Sequence, residues 1–184
     1  MKMNRITTSL ALAVCLITIG EASRIVAQAA AIVQKSAAPG ILTRDEASAI
    51  LPPKVFYKEQ SASIQGRNSS GIRLKSGALV LATLVDTSGY SSSVQETYQA
   101  YLITEVSVTI GGQTLIPGAY GFGFVPGNKM VVMDVGAHEV LRVNTQRDAG
   151  LKRPTPLQIL QEDEKPGEYR LYLGRVFVTL EPAR

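Results

Sequence analysis

Asp134-Val135-Gly136-Ala137-His138-Glu139 is the one stretch that sets an imidazole beside two carboxylates, and His138 is the only histidine in the chain. Near a turn those oxygens could hold a hard cation. Any Ser-His-Asp triad would have to use His138, but no G-x-S-x-G elbow accompanies it. The plainer reading is a polar hairpin tip with a solvated histidine. Asp86-Thr87-Ser88-Gly89 follows an apolar run; an aspartate there could activate a water only by sharing a proton with a second one. Four good turn formers in a row also need no catalytic reason. Ser91-Ser92-Ser93, with Tyr90 before and Tyr98 after, makes a hydroxyl-rich loop that could bond or stack against a sugar. Gly121 and Gly123 alternate with Tyr120, Phe122 and Phe124, so one face of that strand is bare and open to close approach by a backbone, a ring or a ligand. An aromatic side chain from a neighbouring strand is the more ordinary occupant. The candidate ligand contacts are therefore Tyr90, Gly121 and Gly123, with no catalytic residue, metal ligand or cofactor expected.

The elements that position these residues read mostly as strands. Thr43-Arg44-Asp45-Glu46 has the form of a capping box, opening a helix that Pro52-Pro53 must stop after about two turns. From Val55 the pattern is β. Ala78–Val85 is apolar apart from Thr83, as a central strand covered on both faces would be. The stretch from Tyr98 to Ile110 alternates as one long strand, its Tyr98, Ala100, Leu102, Thr104, Val106, Val108 and Ile110 on one face. Gly111-Gly112 separates two β-type runs by the two residues of a tight hairpin turn. Pro117-Gly118 and Pro126-Gly127-Asn128 turn into the strands 119–125 and 129–135, and Gly136 into 138–143. A charged, proline-bearing loop at 147–156 leads to strands at 157–160, 169–173 and 176–180, with a bulge or bend expected at Gly174. Nine or ten strands with turn signals every 8–12 residues predict an all-β, antiparallel β-sandwich, jelly-roll or prealbumin-like, over 53–184.

Two resemblances bear on this pattern. Val85-Asp86-Thr87-Ser88-Gly89 resembles the aspartic peptidase motif, and Leu171-Tyr172-Leu173-Gly174-Arg175 is similar to the late Gly-Arg segment of the retroviral-type enzymes. Here Ser88 intervenes between Thr87 and Gly89, which displaces the turn glycine by one. The stretch 106–125, with Ile110-Gly111-Gly112, Leu115-Ile116-Pro117-Gly118-Ala119-Tyr120 and then Pro126-Gly127, resembles the core of a family of secreted bacterial proteins of unknown function. That resemblance implies an exported β-sandwich and brings no catalytic residues.

The N-terminus is expected to be a leader, residues 1–29. Lys2 and Arg5 precede an apolar run from Ile6 to Gly20, and Ala27-Gln28-Ala29 offers a cleavage site, with a cut after Ala22 as an alternative. Glu21 and Arg24 interrupt the run short of the roughly 20 apolar residues a membrane span needs. Leu12-Ala13-Val14-Cys15 loosely resembles a lipobox, but Val14 is not the small residue that position requires. Cleavage after Ala29 leaves a chain without cysteine, which excludes thiol catalysis and thiolate metal sites. Residues 30–52 are read as a linker, Ala-rich as far as Leu42, and the short helix. In 30–128 seven basic groups meet six acidic ones, and in 129–184 nine meet eight, so no basic half exists to track phosphates and no nucleic-acid partner is expected. The expected protein is exported to the periplasm or cell exterior and non-catalytic, a small module for an unknown ligand or envelope protein. The alternatives are a structural, self-associating protein and an aspartic-type peptidase using Asp86.

Overall fold

The computed structural model describes residues 38–183; the expected leader lies outside them. In chain order the elements are β1 (Gly40–Leu42), α1 (Arg44–Ile50), β2 (Lys54–Tyr57), β3 (Gln60–Arg73), β4 (Leu79–Val85), α2 (Ser92–Thr97) and β5 (Ala100–Thr104). Then follow β6 (Val108–Ile110), β7 (Gln113–Leu115), β8 (Gly118–Val125), β9 (Lys129–Met133), β10 (Glu139–Asn144) and β11 (Gln146–Arg147). The last are β12 (Leu157–Gln161), β13 (Tyr169–Leu173) and β14 (Val176–Pro182). One antiparallel sheet runs β1-β3-β4-β5-β8-β9-β10, with β2 paired to β3; the second runs β12-β13-β14-β6-β7, with β11 on β14.

The protein is an all-β sandwich with a third, partial layer. Alternate residues of the first sheet, among them Val80, Ala82, Leu102, Phe122 and Val132, point at Ile110, Ile159, Leu171 and Leu180 of the second. Their neighbours point the other way. Tyr101, Val131 and Met133 pack under the β2–β3 hairpin and α2, while Leu81 packs under α1 with Leu42, Ala47 and Leu51. The first sheet is thus covered on both faces, which is why β4 can be apolar at nearly every position.

Local chemistry sets the ends of the elements. The Thr43 hydroxyl accepts from the Glu46 N–H and the Glu46 carboxylate accepts from the Thr43 N–H at 2.8 Å, the capping box read from the sequence. Gly111 and Gly112 both take left-handed φ, 54° and 87°, as a two-residue turn between β6 and β7 demands. Two buried hydroxyls are bonded: Ser69 donates to Thr83 across β3 and β4 at 2.8 Å, and Ser70 accepts from the Ile159 N–H at 3.0 Å, tying the first sheet to the second.

Several expectations are corrected. Gly40–Leu42 is strand β1, paired with β3, where the sequence read as linker. The stretch from Tyr98 to Ile110 is not one strand. It breaks at Glu105–Ser107, sending β5 into one sheet and β6 into the other, because Thr104 turns its hydroxyl onto the Val106 carbonyl at 2.6 Å and the Glu105 carboxylate accepts from the Leu79 N–H at 2.8 Å. Ser91-Ser92-Ser93 opens the short helix α2 instead of forming a loop. Gly174, at φ 61°, takes the bend of the two alternatives expected there, in the two-residue turn between β13 and β14.

Candidate functional site

The outer layer is fastened by tyrosines. Tyr57 stacks on Tyr98 at 3.9 Å between ring centroids, and Tyr90 meets both edge-on. The Tyr90 hydroxyl donates to the Tyr57 carbonyl at 2.9 Å and the Gln60 carbonyl at 3.2 Å, and the Tyr101 hydroxyl donates to the Phe56 carbonyl at 3.0 Å. Burial raises the pKa of Tyr57, Tyr90, Tyr98 and Tyr101, so all four remain neutral donors in ordinary conditions. Tyr98 itself is fully buried and its hydroxyl has no hydrogen-bond partner among the described residues.

Gly121 and Gly123 lie beneath this cluster, buried. A Cβ on Gly121 would stand 2.8 Å from both Tyr57 and Tyr98, and one on Gly123 would overlap the Thr97 carbonyl oxygen. The bare strand face is therefore filled by the protein's own rings and by the end of α2. Of the three candidate ligand contacts, only Tyr90 borders an open depression.

That depression, about 500 Å³, lies between the β2–β3 turn, the start of α2 and the β9–β10 loop. Tyr90 and Val94 are nearly buried at 7% exposure each, while Phe56 and Val135 are 52% and 42% exposed. Lys58, Glu59, Gln60 and Ser91 add polar groups. Two loops meet here, joined by the Lys58 N–H donating to the Val135 carbonyl at 2.9 Å. Both carry left-handed non-glycine residues: Lys58 at φ 47°, Glu59 at 65° and Ala137 at 69°. Each such residue costs about 1–2 kcal/mol relative to glycine. Tyr90 and Ser91 are the part of this site legible in the sequence; the rest is not, since Lys-Glu lacks the Asn-Gly chemistry of a two-residue turn and an exposed Phe56 looks like any core aromatic.

His138 and Asp134 stand at the border of the same region. The Asp134 carboxylate accepts from the Gly136 and His138 N–H groups at 2.9 Å each and lies 3.0 Å from the His138 Nδ1. Those bonds, the His138 N–H foremost, hold its pKa below the usual carboxylate range. Glu139 does not join them: its carboxylate takes Arg142 Nε at 2.9 Å and Nη2 at 2.6 Å. Among the described residues, no three His, Cys, Asp or Glu side chains gather as a metal site would require.

Asp86 sits at the end of β4 and accepts from the Ser88 N–H at 3.1 Å, a turn-closing bond that lowers its pKa. Among the described residues, no carboxylate is one of the groups that shift it. Gly174-Arg175 lies on the second sheet, where Arg175 donates to the Ala149 and Leu151 carbonyls and pins the 147–156 loop. The two parts of the peptidase resemblance thus serve a turn in one sheet and a loop anchor on the other. Comparison with protein-family models, with curated proteins and with solved structures finds no match.

Proposed function

We propose that this chain is an exported, non-catalytic β-sandwich module that binds its ligand in the depression beside Tyr90. The observation that carries the reading is the meeting of two loops with left-handed, non-glycine residues over half-exposed Phe56 and Val135. Backbone held in costly conformations concentrates where side chains must be presented in a set direction. A Lys-Glu turn where Asn-Gly would be relaxed fits selection for the two charged side chains at the rim. Export rests on the leader pattern and on the resemblance of 106–125 to secreted bacterial proteins. The non-catalytic reading is supported by the carboxylates: Asp86, Asp134 and Glu139 are all lowered by local hydrogen bonds, and acid–base catalysis needs groups poised nearer neutrality.

The test is thermal unfolding of the purified protein against a panel of glycans, lipids and peptides, with Phe56→Ala as the control. A ligand at about 100 times its dissociation constant stabilises by about 2.7 kcal/mol, a rise of roughly 5–11 °C for a domain of this size. The shift should disappear in Phe56→Ala. A flat panel together with stable self-association in light scattering would replace this reading with a structural one.

A further inference from the structure

A second and larger depression shares no lining residue with the first. It lies where β3 passes from the sandwich into the outer layer. Ile64 pairs with Val85 and Ser69 with Thr83, so the four residues 65–68 stand opposite the single Leu84. Bulges of this kind re-aim side chains and recur beside binding sites. The surplus chain bows toward α1, so close that a Cβ on Gly66 would overlap the Ser48 hydroxyl. Bow, helix and the end of β4 enclose about 620 Å³, with Asp45, Ser48, Gln65, Arg67, Asn68 and Asp86 as its polar lining.

The bow is held from within. Gln65 Nε2 donates to the Val85 carbonyl at 3.2 Å, and Asn68 Nδ2 donates to Gln65 Oε1 at 3.0 Å. The charged groups are not used this way. The Arg67 and Asp45 side chains make no hydrogen bond or ion pair with any described residue, and Asp86 is bonded only within its own turn, by the Ser88 N–H at one carboxylate oxygen and by the Ser88 hydroxyl. Opposite charges therefore line one cavity without pairing across it. A ligand of one sign would answer one wall and leave the other; a dipolar ligand answers both. Among the described residues Ile64 is the sole large apolar one in the lining and no aromatic ring joins it, so a sugar face or a base has nothing there to stack on.

We propose that this cavity binds a small zwitterion, an α-amino acid or short peptide, with its ammonium held by Asp45 and Asp86 and its carboxylate by the Arg67 guanidinium. Arg67 can grip a carboxylate with two parallel N–H bonds. The Asn68 side-chain Oδ1, to which no described residue donates, suits the amide N–H of a peptide.

The experiment is a calorimetric and NMR titration of the purified protein with diglycine, N-acetyl-diglycine and diglycine amide. Diglycine should bind saturably and shift the amides of 64–68 and 86. Blocking either end should weaken binding about tenfold, the worth of one charge-assisted contact. Arg67→Gln should abolish the preference for a free carboxylate, and Asp86→Asn, which keeps the turn acceptor, the preference for a free ammonium. Both side chains are exposed, so neither variant should unfold. Equal affinity for free and blocked dipeptides, unchanged preferences in the variants, or no shifts at 64–68 with any of the three compounds would overturn the proposal. None of these results depends on the Tyr90 depression, so each reading can fail alone.

Discussion

Replacing Gly123 by alanine tests whether the bare face of β8 is a packing device. The new methyl would overlap the carbonyl oxygen of Thr97, the last residue of α2. That carbonyl cannot retreat freely. Two residues on, Gln99 is sewn to β8 by its N–H to the Phe122 carbonyl at 3.0 Å and by its side chain to both the N–H and the carbonyl of Phe124 at 3.0 and 3.1 Å. Overpacking costs about 1–3 kcal/mol, with the upper end expected against backbone, and each Gln99 bond lost adds about 0.5–1.5 kcal/mol. Against this, alanine gains about 0.4–1 kcal/mol by restricting the unfolded chain. The balance is a loss of about 3 kcal/mol, a fall in Tm of roughly 6–12 °C. Gly121→Ala meets ring edges of Tyr57 and Tyr98 at 2.8 Å, which can slide, and should cost about 1–2 kcal/mol. Thermal unfolding followed by circular dichroism measures both. A Gly123→Ala protein melting within about 2 °C of the parent, or a larger loss at Gly121, would refute the reasoning.

Tyr98→Phe should be neutral or stabilising by up to about 1 kcal/mol because its hydroxyl has no partner to lose, whereas Tyr90→Phe should cost about 1 kcal/mol by releasing two carbonyls; urea unfolding separates them. Replacing Lys58-Glu59 by Asn-Gly should relax two left-handed residues, raising stability by about 1–2 kcal/mol in the same assay while weakening binding beside Tyr90. Asp86, Asp134 and Glu139 all have folded pKa values below their unfolded ones, so their contribution is present above about pH 4.5 and is lost as pH falls through the lowered values. Tm measured from about pH 6 down to pH 2 should therefore fall, and less steeply in Asp134→Asn.

Much of the sandwich was legible because its determinants are local. The capping box, the Gly111-Gly112 turn and the apolar alternation of β8, β9, β13 and β14 are each written in a few adjacent residues. What escaped depends on distant partners. The break between β5 and β6 rests partly on Glu105 reaching the Leu79 N–H, 26 residues away, and alternation carries straight through it. Helix α2 and its N-cap present three serines that look like a loop until Val94 and Tyr98 find the tyrosine cluster. The spacing of Gly121 and Gly123 marks a bare face, but pattern cannot say that Tyr57, about 64 residues earlier, returns to cover it. Asp86 stands out by its motif, while Asp45 and Arg67 carry no signal of a shared site until the bow in β3 draws them to one cavity.

β3 belongs to two layers, and the bow lets each half keep its own register. Residues 69–73 are aligned by β4, with 71–73 also held by β1, and 60–63 are aligned by β2. A residue gained or lost between 65 and 68 disturbs neither ladder. The same change within 69–73 would turn a whole row of side chains to the wrong face. Length variation is thus tolerable at one place in this long strand, and that place is the mouth of the larger cavity. The outline of that cavity can change by one added or removed residue, without rewriting either hydrophobic layer.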